Sequence, residues 1–444
     1  MIPRRFKLVF TLLLASSGSH SLLAATQPGG YTPASEKAIY PLKEQAPSSS
    51  GRAATAGSRL QLAATLGENV PRQLEEAWQK NPENVDVGLI LLRYYLEQQD
   101  NARTLALAKQ LYALQPSNPQ VLKALTLSLL ATGDPNTALN HAEKLTELLP
   151  HSPSSWYLLG LVYSKKPDNA QAHLALDRTL ALQPENLAAL ELKARLCIGE
   201  KKFKEALEIA HSIRVSFPAK PIGYQYEGEI YKQQRDFAKA AIAFQIAFNK
   251  APSTELALAL ADTQWQAGNQ TEAVKMLQSW LAIHPNDTQV RTQLLVYLSS
   301  LQRYPEAIAE GETILAQEPD NATALNNLAA LYQQVGDKRA LEVAERAMQQ
   351  APDSPDVADT LGWILVQSNQ LQRGIELLRQ AMLQRSDDPQ IGYHLAAAYA
   401  KAGQRETALQ QLSIVLQLAN LSPTKLPANL LEDVKKLQES LQQK

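Results

Sequence analysis

Seven histidines are the first residues in this chain whose chemistry could serve a metal or an acid–base reaction: His20, His141, His151, His173, His211, His284 and His394. None stands four residues from another histidine, and no His-Glu-x-x-His or Cys-x-x-Cys run occurs. Those are the spacings that would set two ligands on one helical face. Asp387-Asp388 and Glu75-Glu76 are carboxylate pairs, but neighbours in sequence point to different sides of a helix or turn, so they read as solvated surface. There is no Gly-x-Ser-x-Gly elbow to expose a nucleophile and no glycine loop to cradle phosphate. The single thiol, Cys197, has no intramolecular partner, and it stands where other repeats carry a core tyrosine or leucine. It reads as a buried apolar residue. These residue types assign no catalytic residue, cofactor or metal, and the chain is expected not to be an enzyme.

The elements that would have to position such groups follow a ruler. Pro82, Pro116, Pro150, Pro184, Pro218, Pro252, Pro285, Pro319 and Pro352 are separated by 33 or 34 residues, and Ser386 takes the next mark. A period of this length signals a helix–turn–helix array. Each unit has a polar turn after the proline, an A helix, a turn such as Gly133-Asp134, Gly268-Asn269 or Gly336-Asp337, and a B helix. Asp and Asn suit helix starts, and glycine suits helix exits. At Ser386 the break must come from Asp387, Asp388 and Pro389 instead. Ala, Leu and Gln dominate and strand formers are thin, so the fold class is all-α, a right-handed α-solenoid.

Inside the units a large–small–large pattern recurs. It reads Trp156, Leu159, Gly160, Tyr163 and Ala172 in the third unit, and Tyr224, Gly228, Tyr231, Ala240, Phe244 and Ala247 in the fifth. In the ninth it reads Leu361, Gly362, Leu365, Gly374, Leu378 and Ala381. The pattern resembles the tetratricopeptide repeat (TPR) over residues 82–419, ten repeats. Thr126 and Lys193 depart from it, and the first unit lacks the small residue on helix A. Residues 59–81 read as an N-terminal capping helix, with Leu74, Ala77 and Trp78 as its apolar stripe. Residues 420–444 read as a C-terminal cap, with Leu430, Leu431, Val434, Leu437 and Leu441 at helical spacing.

The TPR resemblance implies that helix A lines a concave groove through its second, fifth, ninth and twelfth positions. Those offsets give Tyr157, Arg195, Gln225, Glu229, Asn326, Gln333, Asp359, Trp363 and Tyr393 as partner-binding candidates. Aromatic and amide side chains of this kind suit an extended polypeptide or a sugar chain. Trp363 has two readings, an exposed anchor in the groove or packing against a neighbouring helix A. Asn326 and Asn327 divide between partner contact and inter-helix hydrogen bonding. Trp156, Trp265 and Trp280 read as structural.

The N-terminus bears on compartment. Arg4, Arg5 and Lys7 precede an apolar run from Leu8 to Ala15, which reads as a secretory leader over residues 1–25. The competing reading is an uncleaved anchor. Residues 26–58 are rich in Pro, Gly and Ser and read as a flexible linker. Formal net charge is −1, and removal of the leader leaves 40 basic against 44 acidic residues. Nucleic acid is therefore not an expected partner, and contact with a membrane is peripheral at most. Localisation is expected to be periplasmic or secreted.

The runs 326–332, 340–347 and 359–365, with Tyr393-His394-Leu395-Ala396, resemble the final repeats of TPR proteins in bacterial exosortase/PEP-CTERM and exopolysaccharide systems. That resemblance implies a scaffold binding protein or peptide in the groove, including polysaccharide-export components. The alternative is a chaperone- or pilotin-like carrier for an outer-membrane or secreted protein.

Overall fold

The computed structural model describes residues 70–98, 100–166, 168–421 and 428–443; the expected leader and linker lie outside them, as do residues 59–69 of the expected cap. The described residues hold 22 α-helices and no strand, an all-α solenoid that divides into two compact units. Residues 70–235 carry α1 (Val70–Lys80), α2 (Val85–Glu97), α3 (Asn101–Leu114), α4 (Pro119–Ala131) and α5 (Pro135–Leu148). They continue with α6 (Pro153–Ser164), α7 (Asn169–Leu182), α8 (Leu187–Gly199), α9 (Phe203–Ser216) and α10 (Ile222–Gln233). Residues 236–443 carry α11 (Phe237–Lys250), α12 (Thr254–Gln266), α13 (Gln270–Ile283), α14 (Thr288–Ser300), α15 (Tyr304–Gln317) and α16 (Ala322–Val335). After these come α17 (Ala340–Gln350), α18 (Pro355–Gln367), α19 (Leu371–Gln384), α20 (Pro389–Lys401), α21 (Arg405–Leu421) and α22 (Ala428–Gln442). Even-numbered helices from α2 to α20 hold A positions and odd-numbered ones from α3 to α21 hold B positions.

The proline ruler has a local cause. From Pro116 on, each ladder proline follows the C-cap of a B helix, as Pro116 follows Gln115 and Pro184 follows Gln183. Proline disfavours helical backbone in the residue before it, so the B helix stops there. Seven of the ten A helices then start on a side-chain cap, as where Asn186 accepts from the Ala189 amide at 3.0 Å and Asn321 from the Ala324 amide at 2.9 Å. The rung at Ser386 works without its proline, because Asp388 caps α20 and Pro389 opens it.

The A-to-B turns need one residue in the left-handed region. Gly133, Gly268, Gly336 and Gly403 supply it, while Lys201, Arg235, Gln302 and Asn369 adopt φ of 59–63° at the equivalent place. Small residues let paired helices approach: a Cβ on Gly374 of α19 would lie 2.7 Å from the Gly362 carbonyl oxygen of α18. Cys197 is fully buried in the α8–α9 core, as its register implies. Thr126, a poor fit to the pattern, is buried with its hydroxyl donating to the Leu122 carbonyl at 2.8 Å. Lys193 pairs with Asp177.

Both ends are covered. On α1, Trp78 is buried against Gly88 and Leu74 packs beside it, whereas Ala77 faces solvent, one residue off the expected stripe. On α22, Leu430 and Val434 close the α20–α21 core, with Leu431, Leu437 and Leu441 packed against it.

Candidate functional site

The predicted groove residues fall on the A helices, and in each unit neighbouring A helices lie against one another. In residues 70–235 the polar cluster spans three of them. Arg195 on α8 donates through Nη1 to the Tyr226 hydroxyl of α10 at 3.2 Å and lies 3.8 Å from Glu191 one turn away. Tyr157 on α6 faces the same guanidinium, and burial pushes its phenol up to about 12. Burial also raises Tyr226, and raises the Glu191 carboxyl against the opposing pull of Arg195 and Lys220. Burial works against the Arg195 charge, but Tyr226, Glu191 and Tyr157 more than offset it and hold its pKa above the ordinary value. The result is a charged group seated among phenols and a carboxylate, with part of its side chain still open to solvent.

In residues 236–443 the equivalent cluster is deeper. Nδ1 of His394 on α20 donates to both carboxylate oxygens of Asp359 on α18, at 2.8 and 3.0 Å. The imidazole stacks on the Trp363 indole with centroids 4.5 Å apart. Asp359, His394 and Trp363 are 1, 3 and 3% exposed. Arg385, at the end of α19, bridges Asp356 and Asp388, the latter at 2.7 Å. Burial raises Asp356, Arg385 pulls it down, and Asp359 and Asp388 push it further up. Asn326 on α16 is 7% exposed, and its Oδ1 has no hydrogen-bond partner. Earlier in the same unit, the Trp265 and Tyr297 rings stack at 4.0 Å. Among the described residues no group of three or more His, Cys, Asp or Glu is placed to hold a metal.

One rule joins the two clusters when positions are counted from the third residue after each ladder mark: the sixth position of one repeat docks on the fifth or ninth of the preceding one. Tyr226 on Arg195 and His394 on Asp359 and Trp363 are its instances. Family models described as tetratricopeptide repeat match residues 227–288 and 306–420, the second of which spans Asp359, Trp363 and His394. The chain carries tetratricopeptide repeats. A further family model, described as anaphase-promoting complex, cyclosome, subunit 3, matches residues 131–212. Among solved structures, the Cut9–Hcn1 hetero-tetramer of the APC/C is 14% identical, with 87% of this chain and 94% of that one covered at a TM-score of 0.43. A tetratricopeptide repeat protein from Parabacteroides merdae is 17% identical over 51% and 91% of the two chains, with a TM-score of 0.42. YrrB, described as a TPR protein with an unusual peptide-binding site, is 20% identical over 41% and 95%, with a TM-score of 0.33. No curated protein matches the chain.

The TPR register explains where the predicted residues went. Trp363 is not an exposed anchor; the following A helix covers it through His394. Asp359 and Tyr393 are buried in the same way, and Tyr157, Glu229 and Asn326 are also below the surface. Neighbouring A helices approach closely enough that the fifth and ninth positions form a seam between repeats instead of an open lining. Of the nine candidates, Arg195, Gln225 and Gln333 keep part of their surface. Trp265, read as structural, is only half-buried and stands at the A-helix face. The residues missed are Glu191, Tyr226 and His394. Glu191 satisfies the fifth-position rule already in use; the other two sit at the sixth position, which a groove rule skips.

Proposed function

We propose that this TPR protein is a non-catalytic protein-interaction scaffold of the bacterial cell envelope, holding components of exopolysaccharide biosynthesis or export, or of an associated protein-sorting system. The observation that carries the scaffold reading is the A-helix face of residues 70–235. There Glu191, Arg195 and Gln225 keep part of their surface on two successive A helices, above the buried phenols Tyr157 and Tyr226. Polar and aromatic groups repeated at the helix-to-helix spacing match the repeating backbone amides of an extended polypeptide. The envelope is supported by the leader-like start, Arg4, Arg5 and Lys7 before Leu8 to Ala15. The polysaccharide link rests on the family-like runs 326–332 and 359–365.

Site-specific photo-cross-linking from Gln225 and Gln333 in the native host tests both levels. The expected products are envelope proteins of polysaccharide assembly or export, together with loss of secreted polymer in a deletion strain. Unchanged secretion in that strain would remove the polysaccharide assignment, and absence of any protein cross-link would remove the scaffold.

A further inference from the structure

Consecutive A helices lie side by side in the same direction, so the A-to-B turns of successive pairs share one edge of a stack. In residues 70–235 that edge gathers cations over three consecutive A helices. Lys166 lies between α6 and α7, Lys201 and Lys202 between α8 and α9 with Lys204 just inside α9, and Arg235 beyond the end of α10. All but Lys166 are exposed. Asp168, Glu200, Glu205 and Asp236 share the edge but are engaged with the protein, Asp236 with Lys239 at 2.7 Å. Asp168 caps α7 by accepting from the Gln171 amide at 3.3 Å, Glu200 holds His173 at 3.2 Å and Lys202 at 2.7 Å, and Glu205 meets the Cys197 sulfur at 4.0 Å. The turn between α16 and α17 differs, because there Arg339 is bridged to Asp337 and Glu312.

The backbone supplies a second, independent observation. Lys201 and Arg235 sit at φ of 59° and 63°, at turn positions where four other pairs place glycine. A side chain with a Cβ is strained in that region and glycine is not. Gln302 and Asn369 hold the same conformation without a charge, so the strain is shared with other turns; among the described residues of 70–235, both non-glycine residues found in it are cations.

We propose that this turn edge docks on an anionic lipid surface, with Lys166, Lys201, Lys204 and Arg235 facing the headgroup phosphates. The chemistry selects the partner. None of the large exposed apolar side chains of the described residues lies on these turns, so the edge offers a protein no buried anchor. Phe203 is packed into the α8–α9 core and offers a sugar no platform. Turn tips along an edge can meet a plane together, and lysine ammonium groups are attracted to anionic headgroups as point charges that salt screens.

The test is co-sedimentation of the full-length protein with phosphatidylglycerol–phosphatidylcholine vesicles and with pure phosphatidylcholine vesicles. The readout is the increment of binding that the anionic lipid adds. That increment is expected to fall with salt, and to drop about fivefold for each of Lys201→Gly and Arg235→Gly. Both substitutions are at the same time expected to raise Tm, because they relieve the turn. A merely misfolded variant would lower both quantities. Lys109→Ala on α3 is expected to leave the increment unchanged. An increment that is absent, or that survives the Lys201→Gly/Arg235→Gly double variant, overturns the proposal. So does retention on immobilised poly-glutamate without retention on vesicles, which would identify an acidic protein partner instead.

Discussion

Replacing Gly374 by alanine adds one methyl group to α19 where it lies against α18. Two opposed effects follow, and their sizes decide the sign. Alanine is the better helix former by about 1 kcal/mol, since glycine has more backbone freedom to lose. Against this, the new Cβ would stand 2.7 Å from the Gly362 carbonyl oxygen, 2.7 Å from Val366 Cγ2 and 3.1 Å from the Val366 amide nitrogen. Two of those atoms are backbone and cannot rotate away, so the helices must part. Overpacking of a tight core typically costs about 1–3 kcal/mol. The net expectation is a loss of about 1–2 kcal/mol, once the propensity gain is subtracted from the upper part of that range. Gly199 provides the internal control: it ends α8, and a Cβ there meets nothing within 4 Å. Gly199→Ala should express propensity alone and gain about 0.5–1 kcal/mol. Urea unfolding followed by circular dichroism reads both as midpoint shifts at constant slope. A higher midpoint for Gly374→Ala, matching that of Gly199→Ala, would show that the close approach of α18 and α19 does not limit this repeat.

Trp363→Ala should lower stability by about 3–5 kcal/mol, as removal of a buried aromatic does, which the same urea titration measures. His394→Ala should cost about 3–5 kcal/mol in that titration, because it strands the Asp359 carboxylate without its partner; a change under about 1 kcal/mol would mean the buried pair is idle. Gln302→Gly should raise stability by about 1 kcal/mol by relieving a φ of 59°, seen as a higher Tm. Burial, reinforced by Glu205, raises the Cys197 thiol to about 11, so a thiol reagent at about pH 8 should label it only once denaturant opens the α8–α9 pair.

The helix pairs were legible because their signals are local. Pro184, Asn186 and Gly336 each act within a few residues of themselves, as stop, cap and left-handed turn, so chain order alone displays them. Cys197 could be placed in the core for the same reason: the register carries its burial. The site was less legible because it depends on how far apart two A helices lie. Reading Trp363 as groove or as seam needs that distance, and no spacing within one repeat encodes it. His394 shows the limit most clearly. It has no histidine or cysteine partner in sequence, yet 35 residues earlier Asp359 waits one repeat away. A search at one-repeat separation for complementary fifth and sixth positions would have found this pair.

The seam has a consequence for how the repeats recognise one another. An array of similar units faces a registry problem, since apolar faces of like size can stack in more than one order. Leu328, Leu361 and Leu378 supply burial but little discrimination. The contacts between Asp359 and His394, between Arg385 and the carboxylates of Asp356 and Asp388, and between Arg195 and Tyr226 differ from pair to pair. A buried charge facing the wrong neighbour goes unpaired, which costs far more than a mismatched methyl group. The polar residues first read as a ligand lining therefore act largely within the protein, and what remains for a partner is their half-exposed margin, Arg195, Gln225, Trp265 and Gln333. In the function proposed above, binding and stacking draw on the same face of each A helix. A partner that grips that margin therefore also braces the seam beneath it, which couples occupancy of the face to the stability of the stack.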